Sequence, residues 1–465
     1  MHIKDLKKKI IVLIGIISFF ALLLMPNPAD LSVEGQRALA VFVLSLSLWV
    51  TNFLPLAITS LMGIALIPLL HIMSLETTYA TFGNNAIFFI LGALMLAASL
   101  YKTGLGTRLA YKLITYFDHK PRRISVGILL SSAVLSFIMP EHAVAAMLFP
   151  IVFEIAETLE LKPLESNFGK SLFLSMAWGA VIGGITTFLG GARNLLAVGI
   201  LQKNYGLSIG FFEWMKYSLP YTIFLLIAAY FMITRTFPSE IETVGPAFDK
   251  LKGKIENMGN LSFDEKKLVF VFIAVISSWI FLSGQVDISV TAILGGVMIF
   301  VLDILDWKDI EEYINWGVIL MYGGAIVIAT ALTDTGAAKW IADQVFSVIP
   351  LTPIVFIFLF ALVTKLLTEG VSNVAAVAIV IPLAFSVGQV LGFNPVAITL
   401  LIALPGGLAF SLPMGAPPNA IAFSSGYLDL AEVFKLGLWM NLISIIGIYL
   451  VSKLYWPLVG LELIP

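Results

Sequence analysis

Apolar stretches long enough to approach the thickness of a bilayer recur from one end of this sequence to the other, and nothing constrains its fold more. Backbone N–H and C=O groups in hydrocarbon must be satisfied within the protein, so stretches of this kind are helices. About 20 residues at roughly 1.5 Å each cross a core of about 30 Å. On that ruler about eleven crossings are read, near 9–25, 37–54, 56–71, 84–103, 168–203, 215–234, 267–283, 288–304, 314–333, 395–427 and 432–456. At 59% hydrophobic and 12% charged, the chain fits no water-soluble class and is read as an all-α polytopic membrane protein. A balance of 27 basic against 29 acidic residues suggests no nucleic-acid partner. With no cysteine, disulfides, thiolate metal sites and cysteine nucleophiles are excluded.

Two further apolar stretches, 122–158 and 352–390, are too long for one span and are broken by Pro140-Glu141-His142 and by Ser372-Asn373. Each reads as a re-entrant hairpin with a polar tip near mid-membrane, since non-helical backbone is tolerated there only inside protein or beside a wet cavity. The apolar run from Ile10 to Met25, behind Lys4, Lys7, Lys8 and Lys9, imitates a signal peptide but lacks a small-residue cleavage site, so it is taken as a first membrane helix. Basic clusters around Lys102–Arg123 and Arg235–Lys267 fall on the side of those lysines, which places the N-terminus in the cytoplasm of a plasma-membrane protein. The expected organisation is an N-terminal helix in 1–35, a first repeat in 36–235, a polar cytoplasmic linker in 236–266 and a second repeat in 267–456.

A shift of 232 positions superposes Gly92 on Gly324, Thr103-Gly104 on Thr335-Gly336, Ala146 on Ala378, Pro150 on Pro382, and Glu141 on Asn373. An odd number of passages per half inverts the second copy relative to the first, and inverted repeats with broken helices are the mark of secondary transporters. Each half also carries a second break, Gly190-Gly191-Ala192-Arg193-Asn194 and Gly415-Ala416-Pro417-Pro418-Asn419. Glycine loosens the backbone and proline removes a donor, so both runs are expected to be unwound. Unwound helix ends offer free N–H groups to an anion and free carbonyls to a cation. Close packing of small residues is the plainer explanation for one such break, and four in related places exceed it.

Thr368-Glu369-Gly370-Val371-Ser372-Asn373-Val374-Ala375 resembles the Ser-Asn-Thr signature of the divalent anion/sodium symporter family, with valine in the threonine position. Leu412 through Ala420 resembles its second signature, and Trp316-Gly317-Val318, Gly323-Gly324 and Thr335-Gly336 also fit the family pattern. The resemblance runs over about residues 36–456. It implies a homodimer with a rigid scaffold and an elevator-type transport domain, carrying di- and tricarboxylates such as succinate, malate, fumarate, 2-oxoglutarate or citrate. It also implies that the hairpin tips and unwound loops hold substrate carboxylates and sodium. Candidate substrate residues are therefore Ser372, Asn373, Val374, Glu141, His142, Asn194, Asn419, Pro418 and Gly415, with a residual sodium site conceivable at Ser372, Asn373 and Gly415.

The first half departs from that pattern. The Ser-Asn-Thr positions fall on Pro140, Glu141 and His142, and the Pro-Pro-Asn loop reads Ala192-Arg193-Asn194. A charge at membrane depth costs some 2.5–3.5 kcal/mol on insertion scales, so these charges are expected to work. Arg193 takes the electrostatic role of a bound cation, with Glu141 as its natural partner. Lys365 either pairs with Glu369 one turn on or neutralises the second cation site. Glu154 and Glu157 read as solvated. No enzyme signature, cofactor or metal cluster is expected: Glu141-His142 lacks the spacing that sets two imidazoles on one face for zinc. The function expected is sodium-independent exchange of carboxylates, on the argument that a fixed positive charge crosses unpaired when the carrier is empty and nearly neutral when it is loaded. Proton coupling through Glu141 and His142, sodium-coupled symport, and an inorganic-anion exporter or channel are the alternatives.

Overall fold

The computed structural model describes residues 2–464 apart from 52, 118–119, 283–284, 315, 347–351 and 371, and their side chains except at 2–7, 342 and 345–346. Val371 of the second-half motif thus lies outside the described residues. The described residues form helices joined by short turns. After α1 (His2–Leu24) the first half runs α2 (Val33–Thr51), α3 (Leu56–Leu69), α4 (Leu75–Phe82), α5 (Asn85–Lys102) and α6 (Leu105–Thr115). It continues as α7 (Pro121–Leu135), α8 (Glu141–Thr158), α9 (Asn167–Gly183), α10 (Ala192–Tyr205) and α11 (Phe211–Thr236). Beyond α12 (Gly245–Asn257) the same succession of long and short helices returns. It runs α13 (Phe263–Phe281), α14 (Ile288–Val301), α15 (Trp307–Tyr313), α16 (Trp316–Asp334), α17 (Ala337–Phe346), α18 (Pro353–Gly370), α19 (Asn373–Val390), α20 (Pro395–Gly406), α21 (Pro417–Ser424) and α22 (Leu430–Leu450).

The packing is reciprocal between the halves: α5 lies against α14, and α16 lies against α3. The closest approaches are the same contact made twice. A side chain on Gly92 would meet the Ala292 carbonyl oxygen at 2.5 Å, and one on Gly324 would meet the Ser60 Cβ at 2.5 Å. Gly92 and Gly324, like Ser60 and Ala292, are partners under the 232-residue shift. Small residues at these four places let backbone approach backbone, which is how helices associate where burial in lipid supplies no hydrophobic drive.

Among the described residues seven helical segments have the length and composition of a span, and α3, α14 and α20 are shorter apolar helices. The crossings expected at 56–71 and 288–304 are thus 14-residue helices, about 21 Å long, each followed by a short second helix. Both broken crossings are split, with unwound backbone between α9 and α10 and between α20 and α21; the unwinding lies earlier than expected, so that Ala192–Asn194 and Pro417–Asn419 already form the first turns of α10 and α21. The hairpins are present as α7–α8 and α18–α19. From the turn at 159–166, α8 runs 18 residues to Glu141 and α9 runs 17 residues to Gly183, so the tip and the end of the half-helix reach one depth.

The linker is more ordered than its polar composition suggests. It holds α12, which packs on α6 and α8. Arg108 of α6 bonds Glu265 at 2.7 Å and donates to the carbonyls of Met258, Gly259 and Asn260. Glu154, expected to be solvated, is instead bound by Lys254 at 2.5 Å and Lys250 at 3.2 Å, because α12 folds back over the end of α8.

Candidate functional site: an ion pair where four helix breaks meet

Proline at 140 starts α8 abruptly, and the Glu141 N–H, free because it opens a helix, donates to the Gly190 carbonyl of the unwound segment at 3.0 Å. This bond seats the hairpin tip on the break before α10. It brings the Glu141 Oε2 to 2.9 Å from the Arg193 Nη2, with both side chains nearly fully buried. A sleeve of glycines makes room for the pair. Gly184, Gly191 and Gly407 lie so near the carboxylate and guanidinium that an added Cβ would stand 2.7 Å from the Arg193 Cζ at Gly191 and 2.6 Å from its Nη2 at Gly407.

The second hairpin closes the site from the other half. Asn373 opens α19; its Nδ2 stands 3.5 Å from the Glu141 Oε1 and 3.4 Å from the Gly407 carbonyl. The Thr368 hydroxyl lies 2.5 Å from the Asn373 Oδ1 and 2.7 Å from the Gly406 carbonyl. Residues 141 and 373 correspond under the repeat, so the two tips meet through equivalent positions. Among the described residues the buried Arg193 Nε has no hydrogen-bond partner; it packs against Gly407.

The two asparagines proposed as substrate ligands hold their own loops. Asn194 donates to the carbonyls of Gly184 and Thr187 at 3.0 and 2.7 Å. Asn419 donates to those of Ala409 and Leu412 at 2.9 and 3.4 Å, the same positions after a shift of 225. In both, the side-chain oxygen is buried and unpartnered. Ser372 is the N-cap of α19, accepting the Ala375 N–H at 3.2 Å, with Val374 partly buried beside it. His142 is exposed at the first tip, next to Glu141. Pro418 is buried in the first turn of α21, and Gly415 packs with its Cβ position 3.2 Å from the Thr368 carbonyl and from the Glu369 Oε2.

Lys365 and Glu369 are not an ion pair with each other; both grip the second unwound segment. Glu369 accepts the successive N–H groups of Phe410, Ser411 and Leu412 at 2.8 to 3.1 Å, and the Asn441 amide at 2.6 Å. The Lys365 ammonium donates to the Leu408 carbonyl and stands 4.7 Å from the centre of the Phe410 ring. The expectation of an unpaired positive charge in the empty site also fails. Arg193 and Lys365 are balanced by Glu141 and Glu369, all four buried.

Sequence reasoning missed Thr368, Asn441 and the glycine sleeve as parts of the site. A lone asparagine in the apolar helix α22 was the signal for Asn441.

A helical membrane protein of two repeated halves, with broken helices and polar tips converging in its interior, belongs to the class of secondary carriers. The chain is a member of the family described as the sodium:sulfate symporter transmembrane region, which matches residues 6–461. It is similar to a sodium-dependent dicarboxylate transporter of Staphylococcus saprophyticus, 27% identical over 97% of this chain and 92% of the relative. A sodium-dependent dicarboxylate transporter of Staphylococcus aureus is 29% identical over 96% and 91%. Two solved structures share the fold. MtrF of Neisseria gonorrhoeae, described within a class of antimetabolite efflux pumps, has a TM-score of 0.55 at 14% identity over 96% of this chain and 94% of its own. The YdaH transporter of Alcanivorax borkumensis has a TM-score of 0.54 at 13% identity over 99% and 100%. The chain is thus a multi-pass membrane transporter of a dicarboxylate-carrying family, with no enzyme family indicated.

Proposed function

We propose that this chain carries dicarboxylates of the succinate and malate class without sodium, by exchange. The observation that carries the reading is the buried Glu141–Arg193 pair at the meeting of the four breaks, a fixed cation with its own counter-charge where the resemblance puts neutral ligands for a diffusible one. The second-half segment supports it: the carbonyls of Gly406, Gly407 and Leu408, which an unwound helix would offer to sodium, already face the donors of Thr368, Asn373 and Lys365. The sodium dependence of the staphylococcal relatives is the property this reading expects to be lost.

Exchange follows from charge balance, and not from an unpaired arginine. The site's own charges cancel, so a carrier loaded with a dianion and no cation moves two negative charges. Against an inside-negative potential of 100 mV that costs about 4.6 kcal/mol for net uptake. Swapping one dianion for another moves no net charge. Arg193 is the natural ligand for one substrate carboxylate once the Glu141 carboxylate yields to it, and Asn373, Ser372 and His142 surround the other. The inverted second half, the division into scaffold and elevator-type transport domains, the homodimer and a cytoplasmic N-terminus belong to the same proposal.

Proton coupling is the second reading, favoured by one arrangement: Glu141 is at once the partner of Arg193 and the neighbour of the exposed His142, so a proton on Glu141 would release Arg193 to substrate. Counterflow of radiolabelled succinate in liposomes loaded with succinate, in choline and in sodium, with and without a pH gradient, tests both. Equal exchange in all four conditions is expected. A saturable sodium stimulation overturns the reading, and acceleration by an inward proton gradient transfers it to the second.

A further inference from the structure

We infer that Lys365 is a tethered cation, a positioning residue that supplies to the second unwound segment the positive charge a diffusible ion would bring. The inference rests on the sodium-independent reading and extends it to a residue outside the tip signatures.

Three consecutive carbonyls, those of Gly406, Gly407 and Leu408, lose their helical partners where α20 ends, and three donors from the α18–α19 hairpin meet them in order. Two of these donors are neutral, Thr368 and Asn373; the third is an ammonium. Capping a carbonyl needs no charge, and a buried ammonium at this depth is unfavourable unless its charge is used. The surroundings of Lys365 suit a cation rather than a hydroxyl or amide. Its head group lies over the Phe410 face at 4.7 Å, where the ring quadrupole favours positive charge, and Glu369 stands one turn along α18.

The same segment touches the other fixed cation. Gly407, between the carbonyls capped by Thr368 and Lys365, packs directly on the Arg193 guanidinium. Arg193 and Lys365 therefore approach residues 406–408 from the two halves of the molecule. The repeat itself does not place them: the 232-residue shift puts Lys365 over Ala133 and Glu369 over Phe137, both uncharged. Each half has acquired one positive side chain by its own route, from α10 in the first and α18 in the second. A dianion in the site would then face two tethered positive side chains, each balanced by its own buried carboxylate, Glu141 or Glu369, without drawing an ion from solution.

The test compares Lys365→Ala, which removes the ammonium and leaves room for a small cation, with Lys365→Gln, which keeps a donor directed at the Leu408 carbonyl but not the charge. Succinate counterflow in liposomes is measured for the wild type and both variants in choline, sodium, lithium and methylammonium. The wild type is expected to be indifferent to the cation. Lys365→Ala should fall about tenfold or more in choline and recover saturably in sodium, lithium or methylammonium, while Lys365→Gln stays low in every buffer. Wild-type rates in folded Lys365→Gln would overturn the inference, because a donor alone would then suffice. So would a folded Lys365→Ala that is fully active in choline, or inactive and unrecovered by all three cations. Should Lys365→Ala fail to fold, Lys365→Gln decides. Sodium stimulation of the wild type would defeat the sodium-independent reading instead, which is a different result from failed rescue of the variant.

Discussion

The two hairpin tips occupy equivalent places in the repeat and solve the same problem with opposite chemistry. At the first tip the charge sits at the point of contact: Glu141 opens the helix and holds Arg193 across the break. At the second tip the contact residues Ser372 and Asn373 are neutral, and the charge lies one to two turns back, where Glu369 and Lys365 hold the unwound backbone. The first tip therefore stakes its geometry on one side-chain ion pair, and the second on many backbone hydrogen bonds. A buried pair is costly to break because the survivor is left charged and unpaired, whereas bonds to backbone are lost one at a time.

Replacing Arg193 with alanine should expose that difference most. It leaves Glu141 buried without its cation, so destabilisation of about 3–5 kcal/mol is expected, with loss of exchange. Thermal unfolding in detergent measures the first effect and succinate counterflow the second. Removing both charges, as Glu141→Gln with Arg193→Ala, should restore much of the stability but not the transport. A double variant no more stable than Arg193→Ala alone would refute the pairing.

At the second tip Asn373→Ala should act on binding before stability. It removes a group that reaches Glu141 and the Gly407 carbonyl and leaves the Thr368 hydroxyl with one partner fewer. Succinate affinity, followed by calorimetry on the purified protein, should weaken by about 1–3 kcal/mol. Unchanged affinity in the folded variant would remove the second tip from the substrate site.

Where the halves do agree, equal effects are expected. Asn194 and Asn419 each donate to two carbonyls of their own loop at the same spacing, so alanine at either should lower stability by about 1 kcal/mol per bond lost. A large inequality in unfolding temperature between these two variants would mean that one asparagine does something its counterpart does not.

The smallest effect belongs to the linker. Glu154→Gln removes the ion pairs with Lys250 and Lys254, which are half open to solvent, and should change stability by at most about 1 kcal/mol, falling further with added salt. A larger, salt-independent loss would make the linker helix a structural member of the first hairpin.

How much of this was legible in the sequence follows from the range of the forces involved. Hydropathy and local backbone chemistry act over a few residues. The all-helical apolar architecture, the helix pairs of both hairpins, the helix breaks at Gly190-Gly191 and Gly415-Ala416, and the 232-residue repeat could accordingly be read from composition and spacing. The partnership of Glu141 with Arg193 was also legible, since two opposite charges in one apolar interior have few other places to go. Lys365 and Glu369 show the limit. Their spacing of four allows an i,i+4 pair, and helix geometry alone would have made one. Only the tertiary structure brings residues 406–412, with three bare carbonyls and three bare N–H groups, against the face of α18, and those stronger backbone demands take both side chains away from each other. The amide nitrogens of Asn194 and Asn419 are likewise taken by carbonyls of their own loops. Sequence by itself determined where this chain must break inside the membrane and which charges it buries there. Which buried group satisfies which broken end was decided by packing, because an unwound backbone claims the nearest donors and acceptors in space and not in sequence.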